Sequence, residues 1–534
     1  MTSAEGALSG DRVRAAELIG AFSLATDLGT GVPFENALQS TLIAMRLAQR
    51  LGVDSTLASQ TYYACLLFYV GCTANARVGA EIFGSDDALT AYVAPVRSGS
   101  QLQMMAGMMR AVAPPGGAPL LRVTQLARGL PRLAREFKGV VAGVCEVAQM
   151  LSRRLGLPDT VSALFAHVGE RWDGKGEPGR ARRDGIPLPV RIAHVAREAA
   201  FQRTLGGEDF AADIVRERRG GAFDPVIAEL FADEASELLA LDDDASAWAE
   251  TLASEPTPWL MLAGEEIDRA LAAMGDFADL ASPHLVGHSA GVAELATAAG
   301  RCGGYEVSDW VTIRRGALVH DLGRVAVPVR IWQKDASLTA DDWERVMLHA
   351  YHSERILTRS PFLGALAPVA TAHHERLNGS GYHRGITGVG LSPPARLLAA
   401  ADAYHAMTEP RPYRAAFSPG QAAEILGQEA RAGRLDADAV TAVLDAAGQR
   451  APRFPRPAGL TEREAEVVGL LARGLQTKQV ARALDISVKT ADRHVQHAYR
   501  KMGVSTRAAA ALFAMQHGLT SWGELPIGSS ASSS

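Results

Sequence analysis

The chain has 534 residues, enough for two or three domains that can each bury a core. Its 54 Lys and Arg residues are balanced by 59 Asp and Glu residues, giving a formal net charge of -5. This balance excludes a protein that binds nucleic acid over its whole surface and leaves room for a local basic patch. The four cysteines lack Cys-x-x-Cys spacing, which favours reduced thiols over a disulfide framework.

No stretch of the sequence predicts a signal peptide or a membrane span. The N-terminal MTSAEGALSGDR has no basic region followed by an apolar run, and nowhere do about 18 apolar residues follow one another without a charge or a turn former. We therefore expect a cytoplasmic protein with no membrane partner. Apolar residues recur at i, i+3 and i+4 in most segments, which predicts a mainly α fold.

Two segments interrupt the helical pattern and predict domain boundaries. LDDDASAWAETLASEPTP (241–258) is acidic and then proline-punctuated, and QRAPRFPRPAG (449–459) has three prolines that keep the chain extended. The sequence predicts two tandem helical domains and a small C-terminal domain of four helices. Their predicted bounds are 1–245, 258–448 and 456–521, with a disordered tail at 522–534.

The two large predicted domains look like copies of each other. ERWDGKG at 170 corresponds to ERLNGSG at 375, and IPLPVRIAHVA at 186 corresponds to LSPPARLLAAA at 391, both 205 residues apart. ACLLFYVG resembles ALVHDLG at another separation, so the first copy has extra residues in its middle. The polar residues of the second copy are replaced in the first: His320 and Asp321 by Phe68 and Tyr69, His373 and His374 by Val168 and Gly169, Asp402 by Arg197, and His288 by Ser40. We expect the first copy to bind no metal and to be structural, regulatory or dimerising.

The second copy combines several histidines with two aspartates. His284 and His288 are four residues apart on a predicted helix and would share a face. His320 and Asp321 are adjacent and diverge, so an imidazole can bind one ion while the carboxylate bridges to a second. Such ligands suit Fe or Mn, with Zn as an alternative, better than Ca or Mg. Two such ions lower the pKa of a bridging water and bind a phosphate, which is the two-metal route to hydrolysis.

These residues lie in three ordered motifs, HDLGRVAVP (320–328), HHERLNGSGYHRG (373–385) and AADAYHAMTEPRPYR (400–414). Over about residues 280 to 445 the pattern resembles the HD superfamily of metal-dependent phosphohydrolases, and within it the HD-GYP branch. The resemblance implies two divalent transition-metal ions, a phosphoester or nucleotide ligand and a bridging Asp321. The implied metal ligands are His288, His320, Asp321, His349, His373, His374 and Asp402, and His284 is an additional candidate.

Two departures from the HD-GYP pattern affect the implied chemistry. The family's Lys three residues after the bridging Asp is Arg324 here, which keeps the positive charge and replaces a point donor with a planar fork. The branch motif Asp-Gly-x-Gly-Tyr-Pro reads NGSGYH at 378–383, so the pattern does not assign cyclic di-GMP as substrate. The implied catalytic residues are Asp321 and Arg324, the latter stabilising the departing charge.

The C-terminal segment predicts a helix-turn-helix. Thr461 and Glu464 form a predicted capping box, a second helix covers about 477–484, and Ser487 caps a longer third helix. Between residues 462 and 507, nine basic minus five acidic residues leave a local charge of +4, which favours contacts with phosphates.

This segment, over about residues 457 to 520, resembles the LuxR/FixJ-type DNA-binding domain through LTEREAEV, LARGLQTKQVA and ISVKTADRHVQHAYRKMGV. The resemblance implies dimeric binding to double-stranded DNA, with the third helix in the major groove. The implied base-contacting residues are Ser487, Lys489, Thr490 and Arg493, and the implied phosphate-contacting residues are Lys478 and Arg500.

The sequence thus predicts a one-component bacterial transcriptional regulator that acts as a homodimer. In this hypothesis two tandem HD-type domains precede a LuxR-type output domain. The first HD-type domain is degenerate, and the second is a phosphohydrolase or phosphodiesterase with cyclic dinucleotides among its candidate substrates. The alternative is a non-catalytic LuxR-family transcription factor that senses a ligand or a metal. An enzyme would lose phosphoester turnover in Asp321→Ala and keep DNA binding, whereas a sensor would have no turnover to lose.

Overall fold

The computed structural model describes residues 12–72, 82–83, 88–116, 119–240, 246–450, 457–516 and 519. In these residues the regular secondary structure is almost entirely helical, which confirms the predicted mainly α fold. The one sheet in this part of the chain pairs Arg12–Arg14 (β1) antiparallel with Met261–Ala263 (β2). None of the described helices is both long enough and apolar enough to cross a bilayer.

Eleven α-helices in the described residues precede the second copy's metal-ligand motifs. They are Ala15–Thr30 (α1), Asn36–Arg50 (α2), Ser55–Leu66 (α3), Gln101–Val112 (α4), Pro119–Arg154 (α5), Asp159–Ser162 (α6), Leu188–Glu217 (α7), Pro225–Asp233 (α8), Ala235–Leu239 (α9), Ala247–Ala253 (α10) and Glu265–Asp279 (α11).

The remaining described helices carry the predicted metal ligands and the DNA-binding motif. They are His288–Cys302 (α12), Val307–Val319 (α13), Val329–Trp332 (α14), Ala340–Leu357 (α15), Pro361–Ala370 (α16), Pro393–Thr408 (α17), Pro419–Arg431 (α18), Ala437–Ala446 (α19), Glu462–Ala472 (α20), Thr477–Ala483 (α21), Val488–Met502 (α22) and Arg507–Gln516 (α23).

The chain divides into two compact units. The first comprises residues 1–289 and 321–365, and the second comprises residues 290–320 and 366–534. In the first unit, α2 and α7 pack together with α8 around buried Ile43, Val195 and Phe231. In the second unit, α17 packs against α18 and α19, and the C-terminal helices α20 to α23 have apolar clusters of their own.

Part of the acidic segment 241–258, which was predicted to interrupt the helical pattern, is a packed helix. Trp248 on α10 is buried under Gly20, where an added Cβ atom would lie 3.0 Å from the indole ring. The Tyr62 hydroxyl donates to the carbonyl of Thr251 (3.0 Å). The predicted break in the helical pattern is therefore wrong over this helix, and the domain boundary stays a prediction. Residues 241–245 and 451–456 of the predicted linkers, and the predicted tail at 522–534, lie outside the described residues.

The loops that begin with ERWDGKG at 170 and ERLNGSG at 375 are each closed by their first glutamate, as the duplication predicts. The carboxylate of Glu170 accepts hydrogen bonds from the backbone N–H groups ten and eleven residues later (2.8 and 3.2 Å). The carboxylate of Glu375 accepts from those nine and eleven residues later (2.9 Å each). A Cβ atom on Gly176 or on Gly381 would lie 2.5 Å from backbone atoms of its own loop, so both positions need glycine.

The upstream parts of the two copies repeat at a separation of 252 residues. Asp27 and Asp279 each accept a hydrogen bond from the backbone N–H ten residues later (3.1 and 2.9 Å), at the start of the next helix. Burial raises the pKa of both carboxyl groups. Both following helices then begin one residue before that N–H, which places Asn36 at the position of His288. The prediction that Ser40 takes this position is wrong.

Candidate functional site

In the first unit, two predicted metal ligands converge on Asp321. The Nε2 atom of His349, in the middle of α15, lies 3.2 Å from one carboxylate oxygen of Asp321. The Nε2 atom of His288, the first residue of α12, lies 3.5 Å from the other oxygen. All three side chains are buried. Each oxygen of the carboxylate thus faces an imidazole, an arrangement suited to a bridging ligand.

In the second unit, the other four predicted ligands form a second group. The Nε2 atom of His320, just after α13, lies 3.7 Å from Oδ1 of Asp402 on α17. The Nδ1 atom of His374 lies 4.0 Å from Oδ2 of the same carboxylate. The ring of His373 lies 4.7 Å from that of His320 and 4.2 Å from that of His374, between centroids. Only His374 is partly exposed.

The backbone fixes the tautomer of three of these imidazoles. The Nδ1 atoms of His320, His349 and His373 lie 2.6, 2.5 and 2.7 Å from the carbonyl oxygen three residues earlier. Because a carbonyl only accepts, Nδ1 carries the hydrogen, and Nε2 keeps its lone pair in the neutral ring. In His320 and His349 this lone pair faces a carboxylate oxygen, and the two repel unless a cation or a proton lies between them. The residues present therefore fit a divalent metal, with the outer hydrogen bond usual for metal-bound histidine.

The local structure differs from the sequence prediction at both ends of the ligand set. Helix α12 begins at His288, and His284 lies in the preceding turn, so the prediction that they share a helical face is wrong. No cluster of three or more close potential ligands in the described part of the chain includes His284. His373 and His374 lie in a turn after α16, which ends at Ala370, rather than on the helix itself.

No role was predicted for His405 and Glu409, which lie close together at the end of α17. The Nδ1 atom of His405 lies 3.5 Å from a carboxylate oxygen of Glu409. The ring of His405 lies over Gly291, where an added Cβ atom would come within 2.1 Å of Nε2. Both residues of the pair are partly exposed. Its sequence signals were the i, i+4 spacing and a glycine three residues after a predicted ligand.

Arg324 is buried beside the proposed bridging carboxylate. Its Nη2 atom lies 2.6 Å from Oδ2 of Asp321, and its guanidinium lies 5.6 Å from the ring centroid of Trp332. The Nε and Nη1 atoms are buried and have no hydrogen-bond partner among the described residues. A residue predicted to stabilise phosphate charge therefore has N–H groups that the protein leaves unused.

The loop that follows the paired histidines is held from both sides. Arg376 donates from Nη1 to the carbonyls of His373 (3.2 Å) and Glu375 (2.8 Å). The ring of Tyr382 stacks on that of His374 with a centroid distance of 4.6 Å and an interplanar angle of 30°. This loop therefore fixes the orientation of the more exposed histidine.

The C-terminal module has the predicted helix-turn-helix, completed by α23. Thr461 and Glu464 form the predicted capping box before α20, with hydrogen bonds of 2.7 and 3.3 Å. Ser487 accepts from the backbone N–H of Thr490 (3.1 Å) at the start of α22. Ala491, Val495 and Ala498 are buried on the inner face of α22. The predicted DNA-contacting residues are all exposed: Lys478, Ser487, Lys489, Thr490, Arg493 and Arg500.

The basic residues of the C-terminal module fall into two groups: some form ion pairs within the module, and others are exposed without one among the described residues. Arg463 pairs with Glu466 (2.8 Å), and Lys501 pairs with Glu464 (2.6 Å). Within the described residues, no ion pair involves the four predicted DNA-contacting cations, Lys478, Lys489, Arg493 and Arg500. Their charges are therefore available to phosphate groups.

Comparisons with known families identify two parts of the chain. Residues 272–439 match the HD domain model, and residues 458–514 match the model for bacterial regulatory proteins of the luxR family. All seven predicted metal ligands lie in the first match, and all six predicted DNA-contacting residues lie in the second. The bounds predicted for the domains stay predictions.

Curated relatives extend the similarity beyond the HD domain. The chain is 28% identical over 420 residues to 3'3'-cGAMP-specific phosphodiesterase 3 of Vibrio cholerae, covering 77% of this chain and 90% of that protein. It is 38% identical over 104 residues to a cyclic di-GMP phosphodiesterase of Thermotoga maritima, covering 19% and 28%. A crystal structure of a cyclic GMP-AMP specific phosphodiesterase of V. cholerae shares the fold, with a TM-score of 0.56 and 23% identity over 82% of this chain and 98% of that chain.

Proposed function

We propose that this chain, which joins an HD domain at 272–439 to a LuxR-type domain at 458–514, is a metal-dependent phosphodiesterase coupled to transcriptional regulation. The observation that carries the proposal is the fixed tautomer of His320 and His349, whose Nε2 lone pairs face carboxylate oxygens. The substrate class we propose is 3'3'-linked cyclic dinucleotides. The first to test is 3'3'-cGAMP, because the V. cholerae relative aligned over 420 residues carries that name.

Two divalent ions, Fe or Mn with Zn as the alternative, would be bound by the seven ligands. His320 and Asp321 are consecutive, so the peptide bond itself joins the two ligand groups described above. Asp321 would be shared by the two ions, as the resemblance to the HD superfamily implies. His284 remains an additional candidate ligand. When bound, the ions polarise the phosphoester and lower the pKa of the attacking water.

Residues around the proposed metal ligands would position the phosphate. The unused Nε and Nη1 groups of Arg324 would donate to its non-bridging oxygens and stabilise the charge that develops as the ester bond breaks. The loop clamped by Glu375 includes Gly381, where the absence of a side chain lets the backbone segments approach each other closely. The loop would thereby keep His373 and His374 in place during turnover.

The C-terminal module would act as a dimer on cytoplasmic double-stranded DNA. Ser487, Lys489, Thr490 and Arg493 would enter the major groove, while Lys478 and Arg500 would contact phosphates. A cyclic dinucleotide can change transcription only if it binds one arrangement of the protein more tightly than another. We therefore expect DNA affinity to depend on the nucleotide.

Hydrolysis and DNA binding should be measured on the same full-length preparation. The protein, loaded with Mn²⁺ or Fe²⁺, is given 3'3'-cGAMP, cyclic di-GMP and bis(p-nitrophenyl) phosphate. We expect Asp321→Asn to lower turnover more than about 100-fold and to preserve DNA affinity. Asp335→Asn, a matched change at an exposed carboxylate, should leave both unchanged. A wild-type protein that hydrolyses none of these and still changes DNA affinity with metal or nucleotide would instead be a non-catalytic sensor.

A further inference from the structure

The first copy, which lacks the metal ligands, forms most of the wall of a cavity of about 980 Å³, and residues 325–329 of the second copy form the rest. Its lining contains six residues at positions equivalent to metal ligands of the second copy. They are Phe68, Tyr69, Val144, Val168, Gly169 and Arg197. The cavity therefore lies where the second copy carries its proposed metal centre, and its volume is at the upper end of the range for small-molecule sites.

In the first copy, Val144 is the counterpart of His349, and two equivalent glycine contacts identify it. A Cβ atom on Gly71 would lie 1.9 Å from the carbonyl oxygen of Val144. A Cβ atom on Gly323, 252 residues later, would lie 2.1 Å from the carbonyl oxygen of His349. The same close approach of the chain thus places Val144 where the second copy has a histidine.

Arg197 puts a buried positive charge where the second copy has Asp402. It is 7% exposed, donates from Nη1 to the hydroxyl of Tyr69, and lies 4.6 Å from the ring centroid of Phe68. Its Nε atom is buried and has no hydrogen-bond partner among the described residues. The next residue, Glu198, is engaged by Arg218 in an ion pair. Within the described residues Arg197 forms no ion pair of its own, so an anion in the cavity would add a partner for this buried cation.

The rest of the lining combines an apolar wall with charged residues of both signs, including the carboxylates Glu170, Glu177 and Glu198. Met104, Met105, Met108, Leu130 and Leu133 line the cavity, and methionine side chains adapt to ligands of different shape. Two exposed cations, Arg97 and Lys175, line it as well. The lining thus suits a molecule with one acidic group and an apolar or aromatic body.

We propose that the first copy is a metal-independent receptor for an amphipathic anion. The acidic head group of the ligand binds Arg197, and the apolar or aromatic body packs against the methionine wall. A long-chain carboxylate and a nucleotide phosphate both have this chemistry. None of the seven proposed metal ligands lines the cavity.

The probe is 1-anilinonaphthalene-8-sulfonate, an amphipathic anion whose fluorescence rises in apolar sites, titrated into the full-length protein. We expect one displaceable probe per chain, and Arg197→Met should weaken its binding about tenfold or more. Arg128→Met, a matched change at an exposed residue, should leave probe affinity unchanged. Met104→Trp, which fills the cavity and keeps Arg197, should also weaken binding.

Competition identifies the head group, and two measurements guard against a folding defect. Displacement by dodecanoate supports a carboxylate ligand, and displacement by GMP or 3'3'-cGAMP supports a nucleotide. Circular dichroism should be unchanged in Arg197→Met, and its urea unfolding should stay cooperative. Equal probe affinity in wild type and Arg197→Met, or no displacement by any competitor, would overturn the proposal whether or not the second copy hydrolyses its substrate.

Discussion

Replacing Glu375 by Gln tests whether the loop beside the paired histidines is held by one buried carboxylate. Glu375 is 2% exposed, and its two oxygens accept from the backbone N–H groups of Arg384 and Ile386, each at 2.9 Å. Glutamine has nearly the same shape and keeps one acceptor, but its NH₂ group faces the other N–H. Losing one charge-assisted hydrogen bond and weakening the second should lower the loop's free energy of opening by about 2 to 3 kcal/mol.

Hydrogen exchange at individual amides measures this loss directly. With about 1.4 kcal/mol per tenfold, the amides of Arg384 and Ile386 should exchange about 30 to 150 times faster in Glu375→Gln than in wild type. The same change at Glu170 is a matched control in the other copy. It should speed exchange at Arg180 and leave phosphoester hydrolysis unchanged. Exchange at Arg384 and Ile386 within about threefold of wild type would refute the reasoning.

Two further predictions concern the first copy and the DNA-binding module. Burial lowers the pKa of His194 to about 3, so this group contributes stability that is present above about pH 6.5 and is lost as the pH falls toward 3. Urea unfolding should show about 2 kcal/mol of loss between pH 6.5 and 4.5, and His194→Gln should remove that part of the pH dependence; an unchanged dependence would contradict it. Lys478→Ala should reduce the salt dependence of DNA affinity by about one phosphate contact. Lys501→Ala should preserve that slope and lower stability, because it removes the partner of the buried Glu464 carboxylate; equal slopes for wild type and Lys478→Ala would exclude the assigned contact.

The proposed metal ligands could be singled out from the sequence because few residue types bind transition metals and their order along the chain is distinctive. His284 shows where spacing alone fails. Four residues separate it from His288, but Gly287 between them has a φ of 84°, a conformation that a helix cannot contain. The helix therefore starts after the glycine, and the two histidines do not share a face.

Other errors came from contacts that join distant parts of the chain. The acidic segment was predicted from its composition to interrupt the helical pattern, yet Trp248 is buried because Gly20 leaves room for the indole ring. The position of Asn36 depends on where the Asp27 carboxylate binds the next helix. The cavity in the first copy could not be predicted from the sequence either, because its volume depends on how the helices pack around the replaced side chains.

Metal stoichiometry of the purified full-length protein tests the central claim most directly. After loading with Mn²⁺ and removal of loosely bound ions, elemental analysis should find about two ions per chain in wild type. Asp321→Asn, which alters the ligand proposed to be shared, should lose at least one of them, and Asp335→Asn should lose none. A wild-type protein that retains no transition metal, or an Asp321→Asn variant that retains the full complement, would contradict the account.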